Sequence, residues 1–181
     1  MWFLFLLSVA LFSCSNDPQA VKEFIETGGD YLPIEKIKEA EMLHTENGVL
    51  KVKIVANTIK RFKEIHPQLV LSNGVEVVFY NDSGLVRSVL KAVTASVDEF
   101  NNIMVMVASD NVVLTSSEGK KLETEELIWD QNKNKIYTDK RVIITTETEV
   151  IEGDGFNSNP DFSQYSISKI NGTFNFKTTT D

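Results

Sequence analysis

The stretch LETEELIWDQNKNKIYTDKRVIITT, residues 122–146, decides the fold class of this chain. Alternating apolar and polar residues on both sides of the polar run 131–135 predict two strands joined by a turn. The segment AVTASVDEFNNIMVMVASDNVVLTS, residues 92–116, follows the same plan at an offset of 30 residues. A repeated unit indicates that one hairpin stacks on its copy. Chance similarity between two hairpins of any β protein is the alternative. The ungapped alignment pairs Thr94 with Thr124, Met106 with Ile136, Val112 with Val142, Leu114 with Ile144 and Thr115 with Thr145.

One irregularity lies inside the repeated unit. Leu122 and Thr124 share one face of the predicted strand, whereas Leu127 and Trp129 have the opposite parity. Either a β-bulge at Glu125-Glu126 restores the phase, or Trp129 faces outward.

The same period-two pattern continues through most of the chain from residue 34. Asn47-Gly48 predicts a tight hairpin turn between two strands, because both residues tolerate a positive φ angle. Ser72-Asn73-Gly74 is interpreted as the start of the strand VEVVFY, and the segment 60–70 as a possible short helix that Pro67 would stop. Many short strands with regular turns predict an all-β sandwich, barrel or roll. The remaining predicted turns are Asn81–Gly84, Glu118-Gly119, Gln131–Lys135 and Gly153–Gly155.

Composition narrows the function classes. The 181 residues suit one domain, and a hydrophobic content of 42% is sufficient for a folded core. The formal net charge of -8 disfavours nucleic acid, because a phosphate backbone is bound by clustered Lys and Arg.

The N-terminus carries an apolar run that ends at the single cysteine. Residues 1–13 contain no charged side chain and are too few to span a bilayer, but they have the length of a signal-peptide core. The sequence LFSC, ending at Cys14, resembles a bacterial lipobox, although Phe12 is bulky for its position. We therefore expect a signal peptide over 1–13, a lipid-anchored tether over 14–33 starting at lipidated Cys14, and a β-domain over 34–181. The alternative is an incidental cysteine.

No catalytic constellation is visible in the sequence. His44 and His66 lie in different segments without neighbouring metal ligands. The run EGDGFNSNPD, residues 152–161, departs from the calcium-loop pattern and is interpreted as a turn. We predict no enzyme activity, no cofactor and no metal site.

The residues resemble a known family. SNGVEVVFYNDSG (72–84), SVLKAVTA (88–95), the run 103–146, VIEGDGF (150–156) and DFSQYSISKINGTF (161–174) are together similar to LptC, a lipopolysaccharide-export family, over roughly residues 45–175. The most specific part extends from GKKLETEELIWD through YTDKRVIITT to GDGF. The resemblance implies a twisted antiparallel β-jelly-roll that forms an open, V-shaped groove.

The family resemblance also implies partners. Such a protein lies in the periplasm, accepts lipopolysaccharide from an inner-membrane ABC transporter and passes it to a soluble bridging protein of the same fold. Better-known members carry a transmembrane anchor, whereas here lipidated Cys14 would hold the chain, at the inner membrane as we expect. Ser15 follows the cysteine, so no simple sorting rule settles which membrane this is.

The carrier hypothesis assigns an apolar lining to the groove, because every second side chain of a strand faces inward. A closed core, in a lipoprotein scaffold that only binds partners, is the alternative. The edge toward the bridging protein is assigned to Tyr165, Ile167, Phe174 and Phe176. The predicted lipid A-binding residues are Leu50, Val52, Ile54, Val75, Val77, Phe79, Leu90, Met104, Met106, Val112, Leu114, Leu122, Ile136 and Ile144.

Overall fold

Ten antiparallel strands form one sheet in the computed structural model, which describes residues 33–63, 66–100 and 103–172. Over these residues the chain is all-β, as predicted, and it contains no helix long and apolar enough to cross a bilayer. The short helix considered for 60–70 is wrong, since residues 60–61 end one strand and 69–70 begin the next. The strands are β1 (Glu35–Glu46), β2 (Val49–Arg61), β3 (Leu69–Tyr80), β4 (Val86–Ala92), β5 (Thr94–Phe100), β6 (Ile103–Ser116), β7 (Lys121–Asp130), β8 (Lys135–Thr145), β9 (Val150–Ser158) and β10 (Tyr165–Ile170).

The strand order follows the chain order, with one exception in the middle. β4 and β5 both lie between β3 and β6, each along a different part of them. They share a single strand position that is interrupted at Val93. The Val93 carbonyl accepts a hydrogen bond from Gly74 N–H, and Val93 N–H donates to the Asp110 carbonyl, both at 3.0 Å. The interruption is therefore bonded to both neighbouring strands.

A row of irregularities, which we call the fold line, crosses the whole sheet at the level of Val93. Each strand from β1 to β9 has an extra residue, a positive φ angle or a register shift there, except β4 and β5, which are separated there by Val93. Such bulges bend a strand locally. Because the bends lie side by side, the sheet folds over along this line. The fold line consists of Glu39, Asn57, Asn73, Gly74, Val93, Asp110, Asn111, Glu125, Glu126, Asp139, Lys140 and Gly155.

The fold line divides each long strand between two walls that pack face to face. The first wall contains residues 40–46, 49–56, 75–80, 86–92, 112–116, 121–124, 142–145 and 150–154. The second wall contains 35–38, 58–61, 69–71, 94–100, 103–109, 127–130, 135–138, 156–158 and 165–167. Phe79 of the first wall meets Trp129 of the second edge to face, with ring centroids 5.4 Å apart. This is the predicted β-jelly-roll.

One prediction about local structure is confirmed, and one pair of alternatives is decided. Asn47 and Gly48 form the β1–β2 turn with φ angles of 50° and 79°. In β7 the register shifts between Thr124 and Ile128, so the bulge at Glu125-Glu126 exists and Trp129 faces inward, 4% exposed.

Three segments interpreted as turns or strand ends are instead strand interiors. Asn73-Gly74 lies in the middle of β3, and the run from Gly153 to Gly155 lies inside β9. Both belong to the fold line or border it. Residues that allow a positive φ serve bulges as well as hairpin turns, so the local signal was correct and its structural meaning was wrong. Likewise, residues 152–158 of the run EGDGFNSNPD are strand, not turn.

The internal repeat corresponds to equivalent positions in β6 and β8. Met106 and Ile136 are fully buried, as are Leu114 and Ile144. The cross-strand register differs between the copies, because Met106 pairs with Val97 while Ile136 pairs with Trp129.

Candidate functional site

Thirteen of the fourteen predicted lining residues belong to one apolar cluster between the two walls or pack against it, and Leu50 is the exception. Leu50 and Met104 are half-buried. The other twelve are 0–3% exposed, so their side chains pack against one another and against the facing wall. These twelve are Val52, Ile54, Val75, Val77, Phe79, Leu90, Met106, Val112, Leu114, Leu122, Ile136 and Ile144.

Most predicted lining residues belong to the first wall, and only Met104, Met106 and Ile136 belong to the second. The second wall contributes further buried side chains that sequence reasoning did not assign. The signal was present in LVL (69–71) before Ser72, but the Ser-Asn-Gly run was interpreted as the start of a strand. The unassigned residues are Ile59, Leu69, Leu71, Ala95, Val97, Ala108, Leu127, Trp129 and Phe156.

The interior opens at the strand ends through a cavity of about 500 Å³, which we call the mouth. Its apolar floor is formed by Val52, Phe79 and Trp129, and its rim is polar. The mouth therefore combines a small apolar floor with a wide polar and charged rim. The rim consists of His44, Glu46, Lys51, Tyr80, Asn81, Asp82, Arg87, Gln131, Asn134, Asn159, Pro160 and Asp161.

The cationic side chains of the rim have acidic partners. Lys51 donates a hydrogen bond to Asp82, which raises the pKa of Lys51 and lowers the pKa of Asp82. Arg87 lies 3.5 Å from an Asp161 oxygen. Burial on its own would raise the pKa of Asp161, but hydrogen bonds from Ser163 and Arg87 outweigh it, so that pKa is lowered. The rim is thus a set of ion pairs rather than a cationic patch.

One side of the mouth is closed by the connection between β9 and β10, residues 159–164, which we call the stopper loop. Phe162 of this loop is fully buried and belongs to the interior cluster. Its ring meets Phe156 edge to face at 5.6 Å and Tyr165 at 5.4 Å. Phe162 has a φ angle of 57°, a conformation that costs a bulky residue on the order of 1–3 kcal/mol. Its burial offsets that strain.

A smaller opening, about 310 Å³, lies near the start of β1 and the end of β2. Met42 of the first wall faces it opposite Leu69, Val97 and Met104 of the second. Its lining also includes Arg61, Gln68 and Glu99. The half-buried Met104 therefore sits at an opening rather than in the closed centre.

Neither histidine is placed for catalysis or metal binding. His44 Nε2 lies 3.0 Å from Gln131 Nε2, and His66 Nδ1 lies 2.8 Å from Asp98 Oδ1 on the surface. Within 33–63, 66–100 and 103–172, no three His, Cys, Asp or Glu side chains gather as metal ligands. In the same residues every buried side-chain nitrogen and oxygen has a hydrogen-bond partner. What these residues form is an apolar interior with a polar-rimmed cavity at one end.

The two ends of the sheet are β1 and β10, each of which pairs with one neighbour among the described strands. Tyr165 and Ile167 of β10 are half-buried against the interior cluster. Phe174, Phe176 and Cys14 lie outside the described residues, as do the predicted signal peptide and most of the tether. β10 approaches β9 so closely that a Cβ atom on Gly153 would lie 2.2 Å from the Lys169 carbonyl oxygen.

A family model described as "Lipopolysaccharide-assembly, LptC-related" matches residues 4–173. The chain belongs to the LptC-related family. Proteins of this family are components of periplasmic lipopolysaccharide export, so this LptC-related chain acts in lipopolysaccharide transport and assembly. No curated protein matches the chain. The recognition and the fold class predicted from the sequence are both confirmed.

Proposed function

We propose that this LptC-related chain is a membrane-anchored periplasmic carrier that binds the acyl chains of lipid A between its two walls. It accepts lipopolysaccharide from the inner-membrane ABC transporter and passes it to a bridging protein of the same fold. The observation that carries this proposal is an apolar interior that extends across the walls and ends in a mouth with an apolar floor and a polar rim.

The free energy of transferring an acyl chain out of water is large enough for a carrier that catalyses no reaction. Transferring an acyl chain of about 14 carbons from water to an apolar interior contributes on the order of 10 kcal/mol before other costs. The twelve nearly buried lining residues fill the space between the walls, so an acyl chain enters by displacing wall–wall contacts. Met104 and Met106 favour such repacking, because a thioether side chain adapts to irregular neighbours.

The polar headgroup stays at the rim of the mouth in this proposal. Lys51 and Arg87 are the cations there, and each already has a carboxylate partner. A phosphate group therefore competes with Asp82 or Asp161 rather than filling an unpaired site. Such competition suits a carrier, which must release its cargo as well as bind it.

Anchoring and transfer involve the ends of the chain. We assign the anchor to a lipidated Cys14, at the inner membrane; Cys14→Ser that leaves the protein in the membrane fraction contradicts this assignment. We assign the edge toward the bridging protein to Tyr165, Ile167, Phe174 and Phe176, since an edge strand can pair with a strand of another protein. Proline at Ile167 and Phe174 removes two backbone donors, and unchanged bridging-protein capture by a folded variant contradicts the edge assignment.

A scaffold with a closed core is the second candidate, and one observation favours it. Twelve of the fourteen predicted lining residues are at most 3% exposed, which is the burial of an ordinary core. In this function the chain binds partners through its edges and no lipid enters.

Photo-crosslinking separates the two functions. A benzoylphenylalanine at Ile136, which faces the interior of β8, should form a lipopolysaccharide adduct in cells if the chain is a carrier. The same amino acid at Ile143, on the outer face of the same strand, is the matched control and should form none. A second interior probe at Phe79 reports on the mouth. Absence of adducts from both interior positions in folded protein supports the scaffold.

A further inference from the structure

One side chain of the interior cluster comes from a loop. All other members of the buried apolar cluster lie on strands, whereas Phe162 comes from the stopper loop, residues 159–164. Residues 159–161 of the same loop also line the mouth cavity. Phe162 therefore occupies apolar space that neither wall fills with its own side chains.

The stopper loop is held together by its own hydrogen bonds. Asn159 Oδ1 accepts from Gln164 N–H at 3.0 Å, and Asn159 Nδ2 donates to Ser163 Oγ at 2.8 Å. Asp161 Oδ1 accepts from Ser163 N–H at 3.0 Å. A loop with internal bonds of this kind keeps its conformation when its outer contacts break.

The ties between the stopper loop and the first wall are few. Ser88 Oγ donates to the Pro160 carbonyl at 2.6 Å, and Arg87 lies 3.5 Å from Asp161. Arg87 and Asp161 line the mouth, so water can replace their ion pair when the loop moves, whereas the buried Ser88 hydroxyl loses its partner unless it becomes exposed. In contrast, Phe162 packs against Phe156 and Tyr165 of the second wall. Because the loop is continuous with β9 and β10, it can leave the first wall, and Phe162 can leave these two rings, while the loop stays connected to the second wall.

We propose that the stopper loop gates an acyl-chain site at the mouth, with Phe162 occupying the place that the chain takes. The ligand class is a long saturated hydrocarbon tail, whether of a glycolipid or of a free fatty acid. This inference rests on the proposed carrier function and adds to it the point of entry and the residue that is displaced. Phe162 then acts as an internal competitor that keeps the empty site dry.

Trp129 provides the readout, because it forms part of the mouth floor and is one of two tryptophans in the chain. The probe is 9,10-dibromostearate, whose bromine atoms quench a nearby indole, added to the full-length protein with Trp2→Phe. If the closed loop dominates the empty state, Phe162→Ala should lower the half-quenching concentration about tenfold, since removing an internal competitor raises the binding-competent fraction.

A second variant leaves the apolar interior unchanged. Ser88→Ala combined with Asp161→Asn removes both polar ties of the loop, and it should also lower the half-quenching concentration, by less than Phe162→Ala. This variant keeps the test valid if Phe162→Ala does not fold. Val78→Ala, which truncates a buried side chain outside the interior cluster, is the matched control for general loosening and should leave the half-quenching concentration unchanged.

The possible results distinguish a failure of the proposed gate from a failure of the proposed carrier function. Equal half-quenching concentrations in the parent and in both loop variants overturn the gate, as does an equal effect of Val78→Ala. If Trp129 is not quenched although Ile136 crosslinks to lipopolysaccharide, the gate is wrong and the carrier stands. If both quenching and crosslinking are absent, the proposed carrier function itself is contradicted, and the gate with it.

Discussion

The two walls are formed by the same strands, yet most buried residues of the first wall were assigned to the interior from the sequence and most of those of the second were not. The first wall alternates regularly, for example at Val75, Val77 and Phe79. In β2, β7 and β9 the second wall follows the fold line, whereas in β1, β3, β6 and β8 it precedes it, and most of its buried residues were not assigned. The difference shows that a bulge interrupts the alternation along a strand, so a period-two pattern identified on one side of it does not extend to the other.

The reason is that hairpin turns and bulges use the same residues. Asn47-Gly48 and Asn73-Gly74 are the same dipeptide, and all four residues have positive φ angles. The first pair ends a strand, whereas the second bends one. What distinguishes them is the alignment of Asn73-Gly74 with irregularities in neighbouring strands, which is a property of the sheet and not of the dipeptide.

The largest expected effect tests whether the walls share one core. Leu122 and Leu127 lie on β7 at opposite sides of its bulge, one on each wall, and both are fully buried. Leu122→Ala and Leu127→Ala should each lower the free energy of unfolding by about 2–5 kcal/mol, because each leaves a cavity in a packed interior. Urea unfolding measures this. Glu125→Ala, at the exposed bulge, is the control and should change stability by less than about 0.5 kcal/mol.

If Leu122→Ala lowers the free energy of unfolding and Leu127→Ala leaves it almost unchanged, the two walls do not share one core. This result would mean that the second wall is not packed against the first in solution.

The next effect compares a bulge with a turn at the same backbone angle. Gly155 in the fold line and Gly84 in the β3–β4 turn have φ angles of 75° and 76°. A Cβ atom on Gly155 would lie 2.8 Å from Ser168 Oγ, whereas on Gly84 it would meet nothing within 4 Å. Gly84→Ala should therefore cost about 1 kcal/mol from backbone strain alone, and Gly155→Ala about 2–3 kcal/mol from strain and crowding.

Thermal unfolding of the two glycine variants gives the difference directly. Equal costs would show that β10 gives way freely at Ser168 and that this end of the fold line is not tightly packed.

The smallest effect concerns the ion pair between the stopper loop and the first wall. The pKa of Asp161 is lowered in the folded protein, so its contribution to stability is complete above its ordinary value of 3.8 and is lost as the pH falls through the lower folded value. Asp161→Asn should therefore reduce the melting temperature slightly at pH 7, and the gap to the parent protein should narrow at pH 3. A gap that widens at pH 3 contradicts the lowered pKa.

The fold class, the family and the inward face of the first wall could be predicted because they depend on local alternation and on motif order. The bulge in β7 was one of two alternatives stated from the parity of Leu127 and Trp129. The mouth could not be predicted, because its floor joins Val52, Phe79 and Trp129, which are distant in sequence. The burial of Phe162 could not be predicted either, because a single aromatic residue in a polar loop forms no apolar–polar alternation. The lipid-binding assignment itself stays a prediction.

The fold line determines how the sheet can deform when it binds and releases a ligand. Each wall has its own ladder of backbone hydrogen bonds, and the bends of successive strands lie in one row between the two ladders. A change in the angle between the walls is therefore a rotation about a shared hinge, whose axis is the row of bends. Such a rotation separates apolar surfaces while it leaves the pairing within each wall intact.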